Sequence, residues 1–448
     1  MSAGSKRPLK VDKFEITSNS NGKTFDISRG DPDNGVPGKT PRIEYRESVF
    51  TPFVEITTVI VDQGTAVSDD DGDGYTSVME GLEIEGGEVV KFKITDGNGR
   101  SLDLSGNDDL RLQQPGITMQ AYKGTQTTLT IVSKEVLDNT LLKNNVTEKL
   151  EGKISDVVSR ILANNLGSGK TRQIDETIEG VNNEFGESRR PFDIILDLQP
   201  LAVPSSVSGI SNTQGKCAGY LFWQTALAFY FKSLDGIFSG TEVGRFIFNN
   251  RPLDLPSGFD DKILDYTIER GVDVLKNLEM GAYATEMHVW DEYTNEYNTD
   301  LELISPSDGN GATAGKSLPL SGSEYFSEPT LRLKSEIPYG YFELGDDMTK
   351  QTEKSTQPAF SVENTLQQSI QNFRQKFTIA AEITIPCNLS LHAGDLIYCE
   401  FPEISQKRTL RRNKRNSGIY MISDLCHFSN TTQAYTKLRL VRDSFGVR

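Results

Sequence analysis

The sequence has few of the residues from which catalytic centres and covalent cross-links are usually built. It contains 4 cysteines and 3 histidines in 448 residues. The cysteines form no C-x-x-C pair, and at this density we expect reduced, buried cysteines rather than disulfides. The histidines lack zinc-ligand spacing with them, no G-x-S-x-G motif occurs, and no carboxylate pair is singled out for glycoside cleavage. The composition therefore favours a protein that is not an enzyme.

Long apolar runs and an excess of basic residues are also lacking. The most apolar window, Cys217 to Phe231, is too short to cross a bilayer, and residues 1–13 lack the apolar core of a signal peptide. Acidic residues outnumber basic ones by 63 to 47, which gives a formal net charge of −16. A protein that grips DNA through its phosphates needs the opposite balance, at least locally. We therefore expect a soluble protein made in the cytoplasm, with no membrane partner and no specific DNA binding.

The pattern of apolar residues predicts an α+β protein, mainly β, whose length suggests roughly three domains. Residues 1–12 are predicted to be a flexible arm. Residues 13–133 contain short alternating strands separated by Gly, Asp and Asn turns, which predicts a β-sandwich or small barrel. Residues 134–238 predict a central α+β domain. Within it, an amphipathic helical stripe runs from Leu150 to Leu162, and strands are predicted between Tyr220 and Lys232.

Residues 239–448 predict a second β domain that carries an insertion. The insertion, residues 305–358, is rich in Gly, Ser, Pro and charged residues, which indicates a long or partly ordered loop. A helical repeat from Val362 to Phe373 then leads into four strands, which we predict to form an antiparallel meander with the helix laid against it. The predicted strands are Phe377–Ile385, Leu396–Phe401, Gly418–Phe428 and Ala434–Val441.

The stretch from Gly167 to Thr171 has the sequence of the end of a phosphate-binding loop. Asn164 occupies the position of the first glycine of that motif, and a helix rather than a strand precedes the stretch. We therefore interpret Gly167 as the C-cap of the helix and exclude a nucleotide site.

An acidic stretch matches the spacing of a calcium-binding loop. Its candidate ligands are Asp69, Asp71, Asp73, the carbonyl of Tyr75, and Glu80. Thr76 stands where the motif usually has an apolar residue, and the flanking residues resemble strands rather than helices. The two hypotheses are calcium binding and a metal-free acidic loop between two strands. No cofactor other than calcium is predicted.

One basic cluster occurs in this acidic chain, between two predicted strands. It consists of Lys407, Arg408, Arg411, Arg412, Lys414 and Arg415. The alternatives are a solvated hairpin tip and a surface that docks an acidic partner or contacts phosphates. No aromatic residues are interleaved for base stacking, which favours a protein over a nucleic acid as the partner.

Several stretches, in this order along the chain, together resemble one protein family. They are KLEGKISDVVSRIL, RRPFDIILDL, GYLFWQTALAFYFKSLDGIF, ERGVDVLKNLEMGAYATEMHVWDEYTNEY, LHAGDLIYCEFPE, SGIYMISDLCHF and TKLRLVRDSFG. The resemblance is to the baseplate central hub proteins of T-even-type contractile-tailed phages, which are related to the N-terminal regions of type VI secretion spikes. It covers about two thirds of the chain and includes no catalytic motif.

The resemblance implies a structural subunit with two β-barrel domains similar to the tail-tube protein. Three copies would form a ring that adapts the six-fold tail tube, or a hexamer that initiates it, to the three-fold central spike or tail lysozyme protein. Other baseplate proteins would bind the periphery, and DNA would pass through the lumen, where an acidic wall would reduce sticking. The expected location is the tail baseplate of the virion, after assembly in the host cytoplasm.

Two rival functions follow from the same observations. A tail-associated peptidoglycan hydrolase would release soluble fragments from peptidoglycan. A calcium-dependent adhesin would bind cells or glycans only when calcium is present.

Overall fold

The structure is a computed structural model. It describes residues 9–28, 42–64, 67–68, 74–106, 110–121, 124–185, 188–205, 218–248, 261–268, 273–291, 295–303, 312–316, 328–337, 369–370, 372–374, 376–403, 412–430 and 432–447. In these residues the fold is α+β and mainly β, as predicted, with large and predominantly antiparallel sheets.

The strands and helices are numbered in chain order. The strands are β1 (Lys10–Thr17), β2 (Thr24–Asp26), β3 (Arg42–Ser48), β4 (Glu55–Asp62), β5 (Val67–Ser68), β6 (Tyr75–Thr76), β7 (Val89–Thr95), β8 (Ser101–Leu104), β9 (Leu110–Ala121), β10 (Gly124–Ser133), β11 (Lys149–Lys153), β12 (Thr171–Ile174), β13 (Glu179–Phe185), β14 (Tyr220–Gln224), β15 (Ala228–Ser233), β16 (Gly244–Phe248), β17 (Lys262–Ile263), β18 (Asp265–Ile268), β19 (Ala284–Asp291), β20 (Glu296–Leu303), β21 (Leu331–Ile337), β22 (Ile379–Pro386), β23 (Leu396–Glu400), β24 (Gly418–Asn430) and β25 (Ala434–Arg442). The helices are α1 (Val78–Gly81), α2 (Lys134–Asp138), α3 (Ile154–Arg160), α4 (Pro191–Leu198), α5 (Leu234–Ser239) and α6 (Val274–Glu279), with 3₁₀ turns at Leu142–Asn144 and Gln199–Leu201 and a π-helical turn at Ile161–Asn165.

Strands from both ends of the chain belong to one 15-stranded sheet. β3 pairs antiparallel with β4 along one edge and with the second half of β24 along the other. The first residues of β24 pair with β23. The other edge of β24 pairs with β25 along most of its length. The β regions predicted at the two ends of the chain are therefore hydrogen-bonded to each other. They also share one hydrophobic cluster, which includes Phe14, Phe92, Phe246, Tyr420 and Leu440.

The last four strands are antiparallel, as predicted, but their order is β23-β24-β25-β22. The prediction of a meander is wrong because β22 and β23 are not neighbours. The connection between them packs Leu389 and Leu391 into the shared hydrophobic cluster, and the amide of Leu389 reaches the Asp96 carboxylate at 3.4 Å. This crossing over the N-terminal β region leaves β22 to pair with the final strand.

The segment from Lys262 to Ile268 contacts strands at both ends of the C-terminal set. β17 pairs parallel with β16, which in turn pairs parallel with β23. β18 follows after one residue and pairs antiparallel with β22, and the Leu264 amide donates to the carbonyl of Thr384 at 2.7 Å. One short segment thus connects the two outer members of the order β16-β23-β24-β25-β22.

The central region has the predicted amphipathic helix and the predicted strands. Helix α3 continues into the π-helical turn, and Gly167 follows in the left-handed conformation with φ of 56°. Leu150 lies on β11 rather than on the helix, because the chain is extended up to Lys153. β14 and β15 form the buried hairpin predicted between Tyr220 and Lys232, with β12 parallel to β15. Their aromatic side chains pack against α4.

Two parts of the predicted insertion are described, and both contact other elements. Ala312 and Ala314 are buried against the C-terminal segment, where the amide of Ala314 donates to the Asp443 carboxylate at 2.9 Å. β21 pairs parallel with β19, whose other edge pairs with β20. Of the predicted helix before β22, Val362 and Leu366 lie outside the described residues, whereas Ile370 and Phe373 are helical. Among the described residues, no helix has the length and apolar character needed to span a bilayer.

Candidate functional site

The candidate site is the exposed sheet face where the two terminal β regions join, which we call the junction face. In β3, whose sequence is RIEYRES, Arg42, Glu44 and Arg46 point to this face, and the residues between them point inward. The strand register aligns Arg46 with Glu55 on one side and with Cys426 and then Lys437 on the other. The junction face consists of Arg42, Glu44, Arg46, Glu55, Glu382, Asp424, Cys426, Phe428, Tyr435, Lys437 and Arg439.

A groove with a volume of about 570 Å³ runs along the junction face. Its walls come from both terminal β regions, with Arg46 from β3, Asp424 from β24 and Lys437 from β25. Residues of β18 and β22, among them Asp265 and Thr384, complete the lining. The groove is therefore built across the pairing of β3 with β24 and does not belong to either terminal region alone.

Charges on the junction face are mixed, and those contributed by β3 are paired. The Glu44 carboxylate accepts hydrogen bonds from Arg42 Nε at 2.8 Å and from Arg46 Nη2 at 2.5 Å, and Arg46 Nη1 lies 3.5 Å from Glu55. Burial acts to raise the pKa of Glu44, but the hydrogen bonds and charges of Arg42 and Arg46 outweigh it and hold the pKa below its ordinary value. On β3, acidic and basic side chains therefore alternate along this face.

Directly behind the junction face lies a polar group that we call the junction core, formed by the buried Tyr45 and Glu47 and the partly buried His392 and Asp395. The Glu47 carboxylate accepts from the Tyr45 hydroxyl, from His392 Nδ1 at 3.0 Å and from the amides of Ala226 and Ala393 at 3.0 and 2.9 Å. Burial would raise the pKa of Glu47 and lower that of His392, but their mutual hydrogen bond and opposite charges reverse both shifts. The pattern of the sequence does not reveal this group, since its members meet only through long-range contacts.

A second buried ionic cluster joins the C-terminal segment to the insertion. Lys376 Nζ lies 2.9 Å from an Asp443 carboxylate oxygen and 3.9 Å from Asp235, and it also donates to the carbonyl of Ala312. The amide of Ala312 donates to Asp235 at 3.0 Å. This cluster fixes the described part of the insertion against α5 and the chain after β25.

The candidate calcium ligands are only partly described. Asp69, Asp71 and Asp73 lie outside the described residues. Tyr75 is exposed on β6, which pairs with β5, so the acidic stretch connects two strands. The Glu80 carboxylate lies in α1 and accepts a hydrogen bond from Thr76 at 3.1 Å. Among the described residues no group of three or more acidic, His or Cys side chains is placed to hold a metal ion.

The basic cluster is also described in part, since Lys407, Arg408 and Arg411 lie outside the described residues. Arg412 donates to the Tyr398 hydroxyl at 2.9 Å, and Arg415 stacks over the Phe445 ring at 4.1 Å. Lys414 between them is exposed. The described part of the cluster therefore lies on the surface next to β23 and the end of the chain.

The resemblance to a phosphate-binding loop has a structural explanation. The Lys170 side chain is only 7% exposed and lies 3.5 Å from the Glu135 carboxylate, which also accepts from the Ser168 hydroxyl at 2.7 Å. Lys170 thus contacts α2 within the central region, and its side chain is turned away from solvent.

Cys399, Cys426 and His427 lie on strands, whereas Cys387 and His392 lie in the connection between β22 and β23. Cys387, Cys399 and Cys426 are free thiols, as predicted, and burial raises the pKa of Cys387 to about 12. Burial lowers the pKa of His427 to about 3, so this side chain is neutral in the folded protein. His427 and Cys426 lie on opposite faces of β24, and His392 is committed to Glu47.

The sequence matches no protein-family model. It also matches no curated protein. Three solved structures follow a similar course over nearly the whole chain: a tail protein from Neisseria meningitidis (10% identity, 96% of this chain and 97% of that chain, TM-score 0.48), a 43 kDa prophage tail protein from Shewanella oneidensis (9%, 96% and 98%, 0.47) and a type VI secretion component from E. coli (8%, 98% and 78%, 0.42). Both measures of similarity are low, so function has to be inferred from the chain's own residues.

Proposed function

We propose that this chain is a structural subunit of a phage tail baseplate hub. Three copies form a ring that adapts the six-fold tail tube, or its initiator hexamer, to the three-fold central spike or tail lysozyme protein, and DNA passes through the ring. The observation that carries the proposal is the junction face. It runs without a break from β22 to β4, so each subunit presents one continuous polar wall made by both terminal β regions.

The two terminal β regions, residues 13–133 and 239–448, act in this proposal as two tube-like barrels. The pairing of Lys262–Ile268 with β16 at one end and β22 at the other supports a barrel in the C-terminal region. A barrel is the arrangement that leaves no open strand edges. Residues 134–238 act as a central domain that contacts both barrels, through Ala226 with Glu47 and through Trp223 with Ala393.

Two similar barrels in each of three subunits provide about six similar docking positions on one side of a ring, while the subunits themselves provide three on the other. Because the two β regions lie side by side in one sheet, both contribute residues to the same face, the junction face. A subunit with its two β regions on opposite sides of the molecule would not line a common channel.

The proposed role is not enzymatic. The three histidines are engaged within the fold: His288 Nε2 lies 3.2 Å from Glu286, His392 Nδ1 lies 3.0 Å from Glu47, and His427 Nδ1 lies 2.8 Å from the Thr436 hydroxyl. The basic cluster at Lys407–Arg415 is proposed as a contact for an acidic baseplate or spike protein, since Lys414 is exposed at its end. The protein is placed in the virion tail, at the baseplate, after assembly in the host cytoplasm.

Mass measurement under native conditions tests the proposal. The purified chain, alone and mixed with the spike protein of the same tail, is expected to give a trimer and a complex with three copies of each chain. A chain that stays monomeric in both measurements would overturn the proposal. In parallel, the chain incubated with peptidoglycan is expected to release no soluble fragments, and release would favour the hydrolase instead.

A further inference from the structure

We infer that Glu44 is a charge-masking residue that keeps Arg42 and Arg46 from gripping the phosphates of DNA as it moves over the junction face. The inference rests on the proposed function, because it assumes that the junction face borders the DNA channel. The ligand class is double-stranded DNA, contacted through its phosphates.

The geometry places Glu44 between the two arginines on the same side of β3. Arg42 donates to one carboxylate oxygen through both Nε and Nη2, and Arg46 Nη2 donates to the other oxygen at 2.5 Å. Hydrogen bonds between charged groups are about twice as strong as neutral ones, and this arrangement occupies both oxygens. One carboxylate therefore orients two guanidinium groups along the strand.

Burial is distributed unequally among the three side chains. The Glu44 side chain is 7% exposed, whereas those of Arg42 and Arg46 are 57% and 53% exposed. Phosphates can therefore reach both guanidinium groups, while the carboxylate beneath them stays out of solvent. Arg42 also stacks over the Phe428 ring at 5.7 Å, and Arg46 has Glu55 as a second carboxylate neighbour at 3.5 Å. These contacts hold the arginines flat against the sheet.

The charge balance explains why a mask is needed at this place. Without Glu44 and Glu55, the row of β3 would present two accessible guanidinium groups to a passing duplex, beside Lys437 and Arg439 of β25. Arginine is the side chain best suited to bind phosphate in a bidentate manner. A channel that releases DNA must avoid such tight phosphate binding, and on β3 it is avoided by pairing Arg42 and Arg46 with carboxylates rather than by an excess of acid.

Fluorescence anisotropy with a labelled DNA duplex, measured over a salt series, tests the inference on the full chain. Wild-type protein is expected to bind weakly. Glu44→Gln is expected to bind at least about tenfold more tightly at low salt, and its log–log salt dependence is expected to be steeper by about 1 to 2, one phosphate contact for each freed arginine. The double substitution Glu44→Gln with Glu55→Gln is expected to bind more tightly still.

Two controls make the result specific. Glu148→Gln removes the same charge but frees Arg160, which lies 3.1 Å from Glu148 in the central region, and it is expected to leave DNA binding unchanged. Adding Arg42→Ala and Arg46→Ala to Glu44→Gln is expected to abolish the gain. If the thermal melt shows that Glu44→Gln does not fold, the single variant Glu55→Gln is tested instead. Its DNA affinity is expected to rise by a smaller factor, because Arg46 keeps its contact with Glu44.

Three results would overturn the inference. They are a Glu44→Gln variant that binds no more tightly than Glu148→Gln, a gain that survives loss of both arginines, and a wild-type protein that already binds as tightly as the variant. The failure of the proposed function is distinguished by mass, since a chain that never forms a trimer contradicts the hub regardless of the DNA result.

Discussion

The Glu47 carboxylate lies 3.0 Å from Nδ1 of His392, a residue 345 positions later in the chain. Glu47 belongs to the N-terminal β region, His392 to the C-terminal one, and the Ala226 amide that also donates to Glu47 belongs to the central hairpin. The Glu47 carboxylate thus connects the N-terminal β region, the central region and the C-terminal β region. Removal of one partner of such a pair leaves a buried charge without compensation.

This pair makes stability depend on pH in a defined direction. The pKa of His392 is raised by folding from 6.5, so its contribution is complete below about pH 6.5 and is lost as pH rises through the folded pKa. The pKa of Glu47 is lowered from 4.5, so its contribution is lost only as pH falls through that lower value. We expect His392→Asn to lower the free energy of unfolding by about 1.5–3 kcal/mol at pH 5.5.

Urea unfolding at a series of pH values checks this expectation. The difference between wild type and His392→Asn should shrink steadily from pH 6 to pH 9. A difference that stays constant over this range would mean that folding does not raise the pKa of His392.

The buried Lys376 provides a second test of long-range connection. Its ammonium group lies 2.9 Å from Asp443 and over the Phe238 ring at 5.0 Å. Lys376→Met leaves Asp443 without its cation, and we expect a loss of about 3–5 kcal/mol in the free energy of unfolding. Lys414→Met, at an exposed position of the basic cluster, is the matched control and should change stability by less than about 0.5 kcal/mol. Equal effects of the two substitutions in chemical unfolding would contradict the structure.

The sequence predicts individual elements of this fold better than their arrangement. Alternation of apolar residues predicts β7 and β22, and the glycine after an amphipathic stripe predicts the left-handed end at Gly167. Alternation, however, assigns a residue to a face of a strand and does not specify which strand lies beside it. The pairing of β3 with β24 joins segments about 380 residues apart, and nothing local in either strand specifies it.

The same distinction applies to the site. The placement of Glu44 between Arg42 and Arg46 follows from period-two alternation alone, since residues two apart on a strand share a face. The contact of Glu47 with His392 could not be predicted, because it requires the long connection after β22 to cross the N-terminal region. The basic cluster is evident in the sequence as a run of charged residues. The stacking of Arg415 on Phe445, however, depends on the three-dimensional path of the chain after β25.

Gly394 is expected to tolerate no side chain. It has φ of 90°, and a Cβ added to it would lie 2.4 Å from the ring of Trp223, whose Nε1 donates to the neighbouring Ala393 carbonyl at 2.9 Å. Gly99 has a similar φ of 82° with no atom within 4 Å of the corresponding Cβ position. Gly99→Ala should therefore cost about 1 kcal/mol for backbone strain alone, and Gly394→Ala about 1–3 kcal/mol more for overpacking. Thermal and chemical unfolding of the two variants measure the difference, and equal losses would contradict the packing of Trp223 on this turn.

Calcium is expected to stabilise the protein through the loop from Asp69 to Glu80. Position 12 of the motif, Glu80, lies in α1, and β5 and β6 bring the two ends of the acidic stretch together, so the ligands would not have to be gathered from a distant part of the fold. A site that binds only the folded state adds about 2.7 kcal/mol when calcium is present at about one hundred times its dissociation constant. The melting temperature should therefore be higher in millimolar calcium than in chelator.

The loop contains its own control for this prediction. Asp71 occupies ligand position 3, whereas Asp70 occupies position 2, which supplies no ligand in the motif. Asp71→Ala, which removes the ligand oxygens, should abolish the calcium-dependent shift in melting temperature, and Asp70→Ala, which removes the same charge, should preserve most of it. A wild-type melt that is identical in calcium and in chelator would leave the metal-free acidic loop as the correct interpretation. A shift reduced equally by both substitutions would mean that the loop attracts calcium by its total charge, without a defined coordination sphere.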